Sequence, residues 1–466
     1  MEFVVLKKSR IKRNIIIGIV AVFFISAIIL NFTSAKYRVS DSVPIINSKI
    51  NYKVPDLNMV SVYIANEEGT YEEADIIPTS GYTLNTEQSY CGRSNNGEII
   101  KDETVSIVYE NGSVSVNNIT KKGTKCYLYF DEQVITAGEQ ILTNYPTILT
   151  RNKFNTTITN TTTGTIYYAD TSKGRTYYFA GNPTDNWVNF GGYYWRIIRV
   201  NGDGSIRLIY NGTTTSITGE STQIGTSAFN YTYGDNTYVG YMTGLANQCT
   251  SGSCSGSTKT SSYSQAVSNS YDSTIKEILD TWYQNNLQSY ANQISTEAGF
   301  CGDRTYVSGN AYGTSTTYYG ARRRLNTNKT PSFDCTNTAD LFTVASSSQG
   351  NNALDYPIGL ISADEVAFAG SEAMDDSSIT VGGSGNDKYY LYTGQKYWTM
   401  SPSLINGETT YNFSVDKNGL LNGRRSSSSL EYSQVNMTLG VRPVINLSSD
   451  VTITGSGTST APYIVS

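Results

Sequence analysis

The strongest constraint on this chain is a run of uncharged residues close to its N-terminus. No charged residue occurs from Asn14 to Ala35, and the run Ile15 to Leu30 is almost wholly apolar. A helix of about 20 apolar residues crosses a bilayer, so the run predicts a transmembrane segment over residues 14–35. We therefore expect the lipid bilayer to be a partner of the chain through Ile15 to Leu30.

The residues around this segment predict its orientation. Five basic residues lie in the stretch 1–13, which predicts a cytoplasmic N-terminus and an extracellular location for the bulk of a single-pass protein of the cell membrane. A cleavable signal peptide is the alternative, because Thr33 and Ala35 are small residues at a suitable spacing. The apolar run exceeds the usual signal-peptide core of about 7–15 residues, which favours an uncleaved signal anchor.

Charge and residue usage exclude several function classes. The first 38 residues hold seven basic residues and one acidic residue, so 27 basic and 38 acidic residues remain, with a net charge of −11. Such a surface repels a phosphate backbone, and we expect no nucleic acid as a partner. The chain has no histidine, which excludes Ser-His-Asp and Cys-His mechanisms and imidazole metal ligands.

The rest of the chain is typical of many short strands joined by polar turns, with 37 tyrosines and only 10 prolines. Asn111-Gly112 between two alternating runs predicts a hairpin. In the run TKCYLYF, alternation places Tyr127 and Tyr129 on one face of a strand and Cys126 and Leu128 on the other.

These patterns predict an α+β protein in several segments. We expect a stalk over 36–55, a small β-sandwich-like module that acts as a spacer over 56–131, a linker with a short helix over 132–164, and a large domain over 165–466. An amphipathic helix that includes Ile275, Leu279 and Trp282 should pack on the sheet of the large domain.

Six cysteines, an even number, suit an extracellular chain. They allow 15 pairings, and proximity in the sequence favours three local disulfides. Free buried thiols are the alternative. The predicted pairs are Cys91 with Cys126, Cys249 with Cys254, and Cys301 with Cys335.

The stretch GLISADEVAFAG contains the acidic pair Asp364 and Glu365. Ser362 followed three residues later by Glu365 predicts a capping box at the start of a helix that ends at Gly370. On that interpretation Glu365→Gln should change stability little. The alternative is a catalytic pair. A glycosidase needs two acids about 5–10 Å apart, and the sequence offers Asp303, Asp334, Asp364 and Glu365 without showing that any two converge.

Other polar residues have structural interpretations that we favour. Arg304 should form an ion pair that holds the loop beside Cys301, Arg442 should be buried with a carboxylate partner, and Arg322 to Arg324 should form a solvated basic run.

One polar stretch has the ligand spacing of a metal loop. Asn201, Asp203 and Ser205 alternate like the ligands of a calcium loop, but the closing glutamate is missing, so we expect a turn and no metal or cofactor.

Several motifs succeed one another in an order that resembles a known family. They are WVNFGGYYWR (187–196), the helix with Trp282, FCGDR (300–304), GLISADEVAFAG (359–370), YWTMSP (397–402) and GVRPVINL (440–447). The set resembles an uncharacterised family of bacterial extracytoplasmic domains from Gram-positive gut bacteria, distantly similar to the C-type-lectin-like fold of formylglycine-generating enzymes. Many relatives have an arginine in the Trp-x-x-Ser-Pro motif, where this chain has Thr399-Met400, so no anion site is carried over to that loop. The resemblance covers about the last 300 residues, the size of one large domain.

The resemblance implies a mixed domain with a twisted antiparallel sheet, few helices and long loops, and it implies no activity. Formylglycine-generating enzymes need a reactive cysteine pair that binds copper. Cys301 and Cys335 are the candidates here, but a disulfide is the simpler expectation. The sequence therefore predicts an adhesin-like cell-surface protein that binds glycan or a surface protein, rather than an enzyme. An extracellular enzyme of formylglycine-generating or carbohydrate-active type and a passive envelope component are the alternatives.

Overall fold

The computed structural model describes most of the chain after residue 58. The described residues are 59–66, 68–79, 81–96, 98–110, 112–133, 135–154, 163–250, 254–255, 262–307, 316–345, 349–371, 389–423 and 433–466. The predicted transmembrane segment and stalk lie outside them. Among the described helices, none combines the length and the apolar character needed to cross a bilayer. The chain divides into two compact units after residue 134.

The first unit contains a mixed sheet with the strand order β2-β1-β8-β4-β5, in which β3 also pairs with β8. β1 runs parallel to β8, and the other pairs are antiparallel. The strands are β1 (Met59–Ala65), β2 (Tyr71–Ala74), β3 (Tyr82–Leu84), β4 (Tyr90–Asn95), β5 (Glu98–Lys101) and β8 (Lys125–Glu132).

A hairpin completes this unit and confirms the prediction from Asn111-Gly112. Its strands are β6 (Ser106–Glu110) and β7 (Ser113–Asn117). Val114 of the hairpin packs with Leu128 and Phe130 of the sheet in one small core. The alternation predicted for β8 is also confirmed, because Cys126 and Leu128 are buried and Tyr127 and Tyr129, which alternate with them, are half-exposed.

The second unit is built on two larger sheets. The first of them joins strands from the beginning of the unit to the last strands of the chain, in the order β28-β29-β12-β13-β11-β10-β9, with β14 between β13 and β27. These strands are β9 (Thr147–Thr150), β10 (Thr165–Thr171), β11 (Gly174–Tyr178), β12 (Trp187–Phe190), β13 (Tyr193–Val200), β14 (Ile206–Tyr210), β27 (Val444–Leu447), β28 (Ile453–Thr454) and β29 (Tyr463–Val465).

The other large sheet has the order β15-β26-β23-β24-β25, and β21 pairs with β23. Its strands are β15 (Gly225–Ser227), β21 (Thr316–Tyr318), β23 (Tyr397–Asn406), β24 (Thr409–Val415), β25 (Leu421–Asn422) and β26 (Leu439–Val441). Three two-stranded pairs lie in the connections. They are β16 (Thr232–Tyr233) with β18 (Cys254–Ser255), β17 (Met242–Thr243) with β19 (Tyr271–Asp272), and β20 (Phe300–Cys301) with β22 (Leu341–Phe342).

Helices are few and short in the described residues. The α-helices are α1 (Ala137–Leu142), α2 (Tyr263–Ala266), α3 (Thr274–Asn286), α4 (Gly320–Arg322), which continues as a π-helical segment (Arg323–Asn328), and α5 (Ala363–Ala369). Short 3-10 helices occur at Gly219–Thr222, Asn236–Tyr238, Gln288–Gln293 and Thr338–Asp340. The described chain is therefore mixed α+β with mostly sheet, as the sequence predicted at that level.

The predicted linker region contributes to the second unit. Ala137 and Ile141 of α1 are buried in its main core, and β9 pairs with β10. The prediction of a linker over 132–164 rests on the polar Thr/Asn tract. Residues 155–162 of that tract lie outside the described part of the chain.

One core holds the second unit together. Ile275 and Leu279 bury one face of α3, as predicted, and Trp282 packs edge-on against Trp195 and Tyr210 of the first sheet. The same core includes residues of α5, so the helix that carries Asp364 and Glu365 is fixed to the centre of the unit.

Candidate binding site

A cavity of about 490 Å³ opens in the second unit, and it brings together acids that are far apart in the sequence. The turn between β13 and β14, the start of α5 and the segments 297–303 and 332–335 line it. The volume lies in the usual range for small-molecule sites, about 300–1,000 Å³. All four candidate acids line this cavity: Asp303, Asp334, Asp364 and Glu365.

The start of α5 confirms the predicted capping box. The Glu365 backbone N–H donates to Ser362 Oγ at 3.1 Å, and the Ser362 backbone N–H donates to Glu365 Oε2 at 2.8 Å. Gly370 ends the helix with a φ of 124°, a conformation that side chains disfavour. Asp364 and Glu365 are nevertheless buried, so their carboxylates do more than face a helix dipole.

Glu365 also forms ion pairs with two arginines. Its Oε1 lies 2.5 Å from Nε of Arg207 and 3.2 Å from Nε of Arg199. Arg207 uses its terminal nitrogens to donate to the backbone oxygens of Gly299 and Leu360. Burial lowers the pKa of Arg199 and lowers that of Arg207 to about 10, and Glu365 opposes both shifts. This triad holds the strands β13 and β14 against the start of α5.

A second ion triad centres on Arg324. Its Nη2 lies 2.5 Å from Asp303 Oδ2 and 2.7 Å from Asp364 Oδ2, which puts these two carboxylate oxygens within about 5 Å of each other. Asp364 Oδ1 also accepts from the Ser332 backbone N–H at 2.9 Å. Arg324 therefore fixes the loop with Asp303 to α5.

Asp303 is the most perturbed acid of the cavity. Burial raises its pKa to about 6, and Arg324 opposes this shift without cancelling it. Its backbone φ is 47°, in the left-handed region that most residues avoid and that Asp tolerates better than most. Non-glycine residues with such a strained backbone cluster at functional sites, so this conformation at a cavity wall favours a functional role for Asp303.

The third wall is the segment around Phe333, which the disulfide Cys301–Cys335 attaches to β20. Phe333 stacks on Phe368 with ring centroids 3.8 Å apart, and the guanidinium of Arg199 lies 4.8 Å from the Phe333 ring centre. Asp334 Oδ1 accepts from the Ser172 backbone N–H and hydroxyl at 2.9 and 2.7 Å.

All three predicted disulfides are present. Cys91 and Cys126 are directly opposite each other on β4 and β8, and Cys249 is bonded to Cys254. None of the six cysteines is free. The disulfide between Cys301 and Cys335 removes the two thiols that a copper site of the formylglycine-generating type needs.

The arginines singled out in the sequence have different environments. Arg304 forms the predicted ion pair, because its Nε and Nη2 donate to Asp340 Oδ1 at 2.8 and 2.6 Å. Arg442 is buried as predicted, but the carboxylate partner was wrong. Its partners in the described part of the chain are the backbone oxygens of Tyr210 and Leu391 and the side chain of Asn211.

The predicted solvated basic run is also corrected. Of Arg322, Arg323 and Arg324, only Arg323 is exposed. Arg322 is buried and donates to Ser403 and to the backbone oxygen of Gly423, and Arg324 joins the triad in the cavity wall. The helical turn α4 brings these two side chains inward because it packs against β23.

Two clusters of oxygen ligands outside the ion triads have simple structural roles. Asp203 accepts from the backbone N–H and hydroxyl of Ser205, as expected of a turn. The carboxylates of Asp272, Asp280 and Asp355 converge in a way that could hold a cation. The Lys276 ammonium occupies the position between them, 2.6 Å from Asp280.

Sequence reasoning missed three residues of this cavity, namely Arg199, Arg207 and Arg324. The sequence does carry a signal for two of them. Arg207 lies in the strand IRLIY, whose five residues are all buried, and Arg199 lies in the similar strand β13. Basic residues inside an apolar strand are buried only with partners, so they point to buried acids elsewhere in the chain.

The cavity offers groups of both signs to a ligand. Arg199 has a side chain that is 14% exposed, and its guanidinium pairs with Glu365 and lies against the Phe333 ring. The side chains of Lys173, Asn201, Asp203, Glu297 and Asp334 complete the opening. Such a mixture of donors and acceptors can bind hydroxyl groups, which both donate and accept.

No protein-family model, curated protein or solved structure matches the chain. The family resemblance of the last 300 or so residues, about one large domain, therefore stays a prediction.

Proposed function

We propose that this chain is a membrane-anchored cell-surface protein whose second unit binds a glycan, with one sugar residue held in the cavity at Asp364 and Glu365. The observation that carries the proposal is the partly exposed guanidinium of Arg199, which lines a cavity of small-molecule size together with the carboxylates of Asp303, Asp334 and Asp364. A cavity of this kind favours a compact polar group over a flat protein surface.

The two ion triads support this function because they fix the walls before a ligand arrives. A binding site gains affinity when its groups are already held in the bound geometry. Glu365 and Arg324 link β13, β14, α5 and the loop with Asp303, and the disulfide Cys301–Cys335 holds the remaining wall.

Aromatic stacking contributes little to sugar recognition in this cavity. Sugar rings stack on free aromatic faces, but Phe333 has Phe368 on one side and the Arg199 guanidinium near its ring. Recognition in the cavity therefore depends on hydrogen bonds to charged groups, which are stronger than bonds between neutral groups.

The same proposal includes a C-type-lectin-like fold for the second unit and a β-sandwich-like fold for the first. One observation supports a C-type-lectin-like second unit. The last strands of the chain, β27 to β29, join the same sheet as the first strands of the unit, and long connections separate the two sets of strands in the sequence. A β-sandwich-like first unit is supported by the hairpin that packs on one face of its sheet. The anchor, its cytoplasmic N-terminus and the extracellular location rest on the sequence alone.

A microarray of neutral, amino-containing and carboxylate-containing oligosaccharides tests the proposal with the full chain. We expect a defined subset of sugars to bind, and Arg199→Gln to abolish the signal. Thermal melting of the variant serves as the control for folding. Binding to none of the sugars, or equal binding by a folded Arg199→Gln variant, would contradict the proposal.

A second candidate function, glycoside hydrolysis, is favoured by Asp303. Its pKa of about 6 suits a proton donor near neutral pH, and Asp364 lies close enough to act as the second acid of a retaining enzyme, which needs about 5–5.5 Å between carboxyls. The neighbouring Arg324 opposes this role because it favours the ionised form of Asp303. Mass spectrometry of bound oligosaccharides would detect cleavage, and Asp303→Asn should then abolish it.

A further inference from the structure

The sheet of the first unit has one face in the core and one face outside it. The core side of β8 carries Cys126, Leu128 and Phe130. The outward side carries the residues that alternate with them, namely Lys125, Tyr127, Tyr129 and Asp131. A half-buried sheet normally exposes mainly polar residues on its second face. Here the centre of that face is aromatic.

Five half-exposed tyrosines form this centre, which we call the tyrosine face: Tyr63, Tyr71, Tyr90, Tyr127 and Tyr129. Tyr90 stacks on Tyr127 with ring centroids 5.1 Å apart, and Tyr63 stacks on Tyr129 at 4.8 Å. None of the five belongs to the core of the unit. A contiguous aromatic patch outside a core marks an interaction surface, and tyrosine is enriched at such surfaces.

Charges of opposite sign flank the tyrosine face. Lys125 lies beyond Tyr127 at one end of β8, and Lys101 is on the same side, with its ammonium 4.7 Å from the Tyr90 ring centre. Asp131 lies beyond Tyr129 at the other end, and Glu73 is opposite Tyr63 on β2.

These charges lack partners of opposite sign within the described residues. The Asp131 carboxylate accepts from the Tyr71 hydroxyl at 2.5 Å and from Asn85 at 3.0 Å, and no basic side chain forms an ion pair with it there. Lys125 likewise forms no ion pair within the described part of the chain. The face thus presents a basic end and an acidic end that are available to a partner.

We propose that the tyrosine face docks on the same face of a second copy of this chain. A two-fold axis that lies in the interface and runs perpendicular to β8 makes the two β8 strands antiparallel, so the Lys125 end of each copy meets the Asp131 end of the other. Two-fold interfaces are self-complementary in this way, and sheets commonly pack face to face.

This inference is independent of the glycan site, because it concerns the first unit alone. It assigns a role in assembly to a module that the sequence predicted to be a spacer. A dimer would also present two glycan cavities at once, which raises the apparent affinity for a surface with many copies of the sugar.

Sedimentation of the full chain in a density-matched detergent tests the proposal. We expect the wild type to be dimeric at about 100 µM, a concentration that populates dimers of micromolar Kd. Lys125→Asp and Asp131→Lys should each weaken the dimer by about tenfold or more, because like charges then meet. A mixture of the two variants should form a heterodimer. Asp170→Lys, at an exposed acid of the second unit, is the matched control and should leave the dimer unchanged.

A monomeric wild type would overturn the proposal, and so would dimers that both charge variants leave unchanged. Tyr127→Thr provides a further check that does not alter charge, and it should also weaken the dimer. If the wild type is monomeric but is retained on insoluble polysaccharide through Tyr127, the face is a glycan surface and the second-copy assignment is wrong.

Discussion

Glu365 Oε1 lies 2.5 Å from Nε of Arg207, and the two side chains are only 3% and 2% exposed. The same glutamate caps the helix α5 through its other carboxylate oxygen. One side chain therefore serves local and tertiary structure together. The two roles have different energetic consequences when the residue is changed.

Glu365→Gln is expected to destabilise the second unit strongly. Gln keeps an acceptor for the cap, but it leaves Arg207 and Arg199 without their counter-ion, and the loss of one partner from a buried ion pair costs about 3–5 kcal/mol. Ser362→Ala removes only the cap and should cost about 0.5–2 kcal/mol. Urea unfolding of both variants would compare these costs, and a smaller loss for Glu365→Gln than for Ser362→Ala would show that the triad contributes little.

The contrast shows what the sequence could and could not predict about α5. The cap depends on residues three positions apart, and their spacing was sufficient to predict it. The expectation that Glu365→Gln would change stability little was based on the cap alone. Arg207 reaches Glu365 only because β14 lies beside α5 in the folded unit, and no local pattern encodes that contact.

A second stability prediction concerns Arg304. Asp340 is its buried carboxylate partner, and the Arg304 backbone N–H also donates to Asp340 Oδ2 at 2.6 Å. Asp340→Asn should lower the free energy of unfolding by about 3–5 kcal/mol, because a buried guanidinium loses its counter-charge. Asp170→Asn, at an exposed ion pair with Arg175, is the control and should change the free energy of unfolding only slightly, because solvent screens the pair. Similar melting temperatures for the two variants would contradict the account.

The raised pKa of Asp303 predicts that the free energy of unfolding depends on pH. Its pKa is raised to about 6 in the folded chain, whereas an unfolded Asp has a pKa of about 3.9. Folding therefore favours the protonated acid, and this contribution is complete below the unfolded pKa and is lost as the pH rises through about 6. A shift of about two pKa units corresponds to about 3 kcal/mol.

Asp303→Asn removes this titration. We expect the stability of the wild type relative to Asp303→Asn to fall between about pH 4 and pH 7, as measured by urea unfolding at each pH. Other acids, such as Asp280, titrate in both proteins and cancel in the difference. A difference that stays constant, or that rises with pH, would show that Asp303 is ionised throughout.

The disulfides predict separable effects on binding. Replacing both Cys301 and Cys335 with Ser frees the wall that carries Phe333 and Asp334, so glycan affinity should fall by about tenfold or more. Replacing both Cys91 and Cys126 with Ser should leave that affinity unchanged, since this bond lies in the first unit. Titration calorimetry of the two double variants checks the prediction, and equal effects would rule out a role for the Cys301–Cys335 wall.

The sequence predicted the strands, turns and disulfides better than the cavity. Cysteine spacing, the Asn-Gly turn and the alternation around Tyr127 are local signals, and each has a direct structural consequence. The convergence of Asp303, Asp334 and Glu365 depends on how two sheets and several loops pack. Arg324 shows the limit most clearly, because a run of three arginines usually faces solvent, and here packing against β23 turns two of them inward.

Calorimetric titration of the full chain with the oligosaccharide that binds most strongly in the microarray tests the central claim most directly. Asp334→Asn is the decisive variant because the amide keeps the acceptor for Ser172 and removes only the charge. We predict one site per chain for the wild type, and a loss of affinity of about tenfold or more for Asp334→Asn, with no loss for Asp170→Asn. Equal affinity of all three proteins would place the sugar elsewhere and contradict the account.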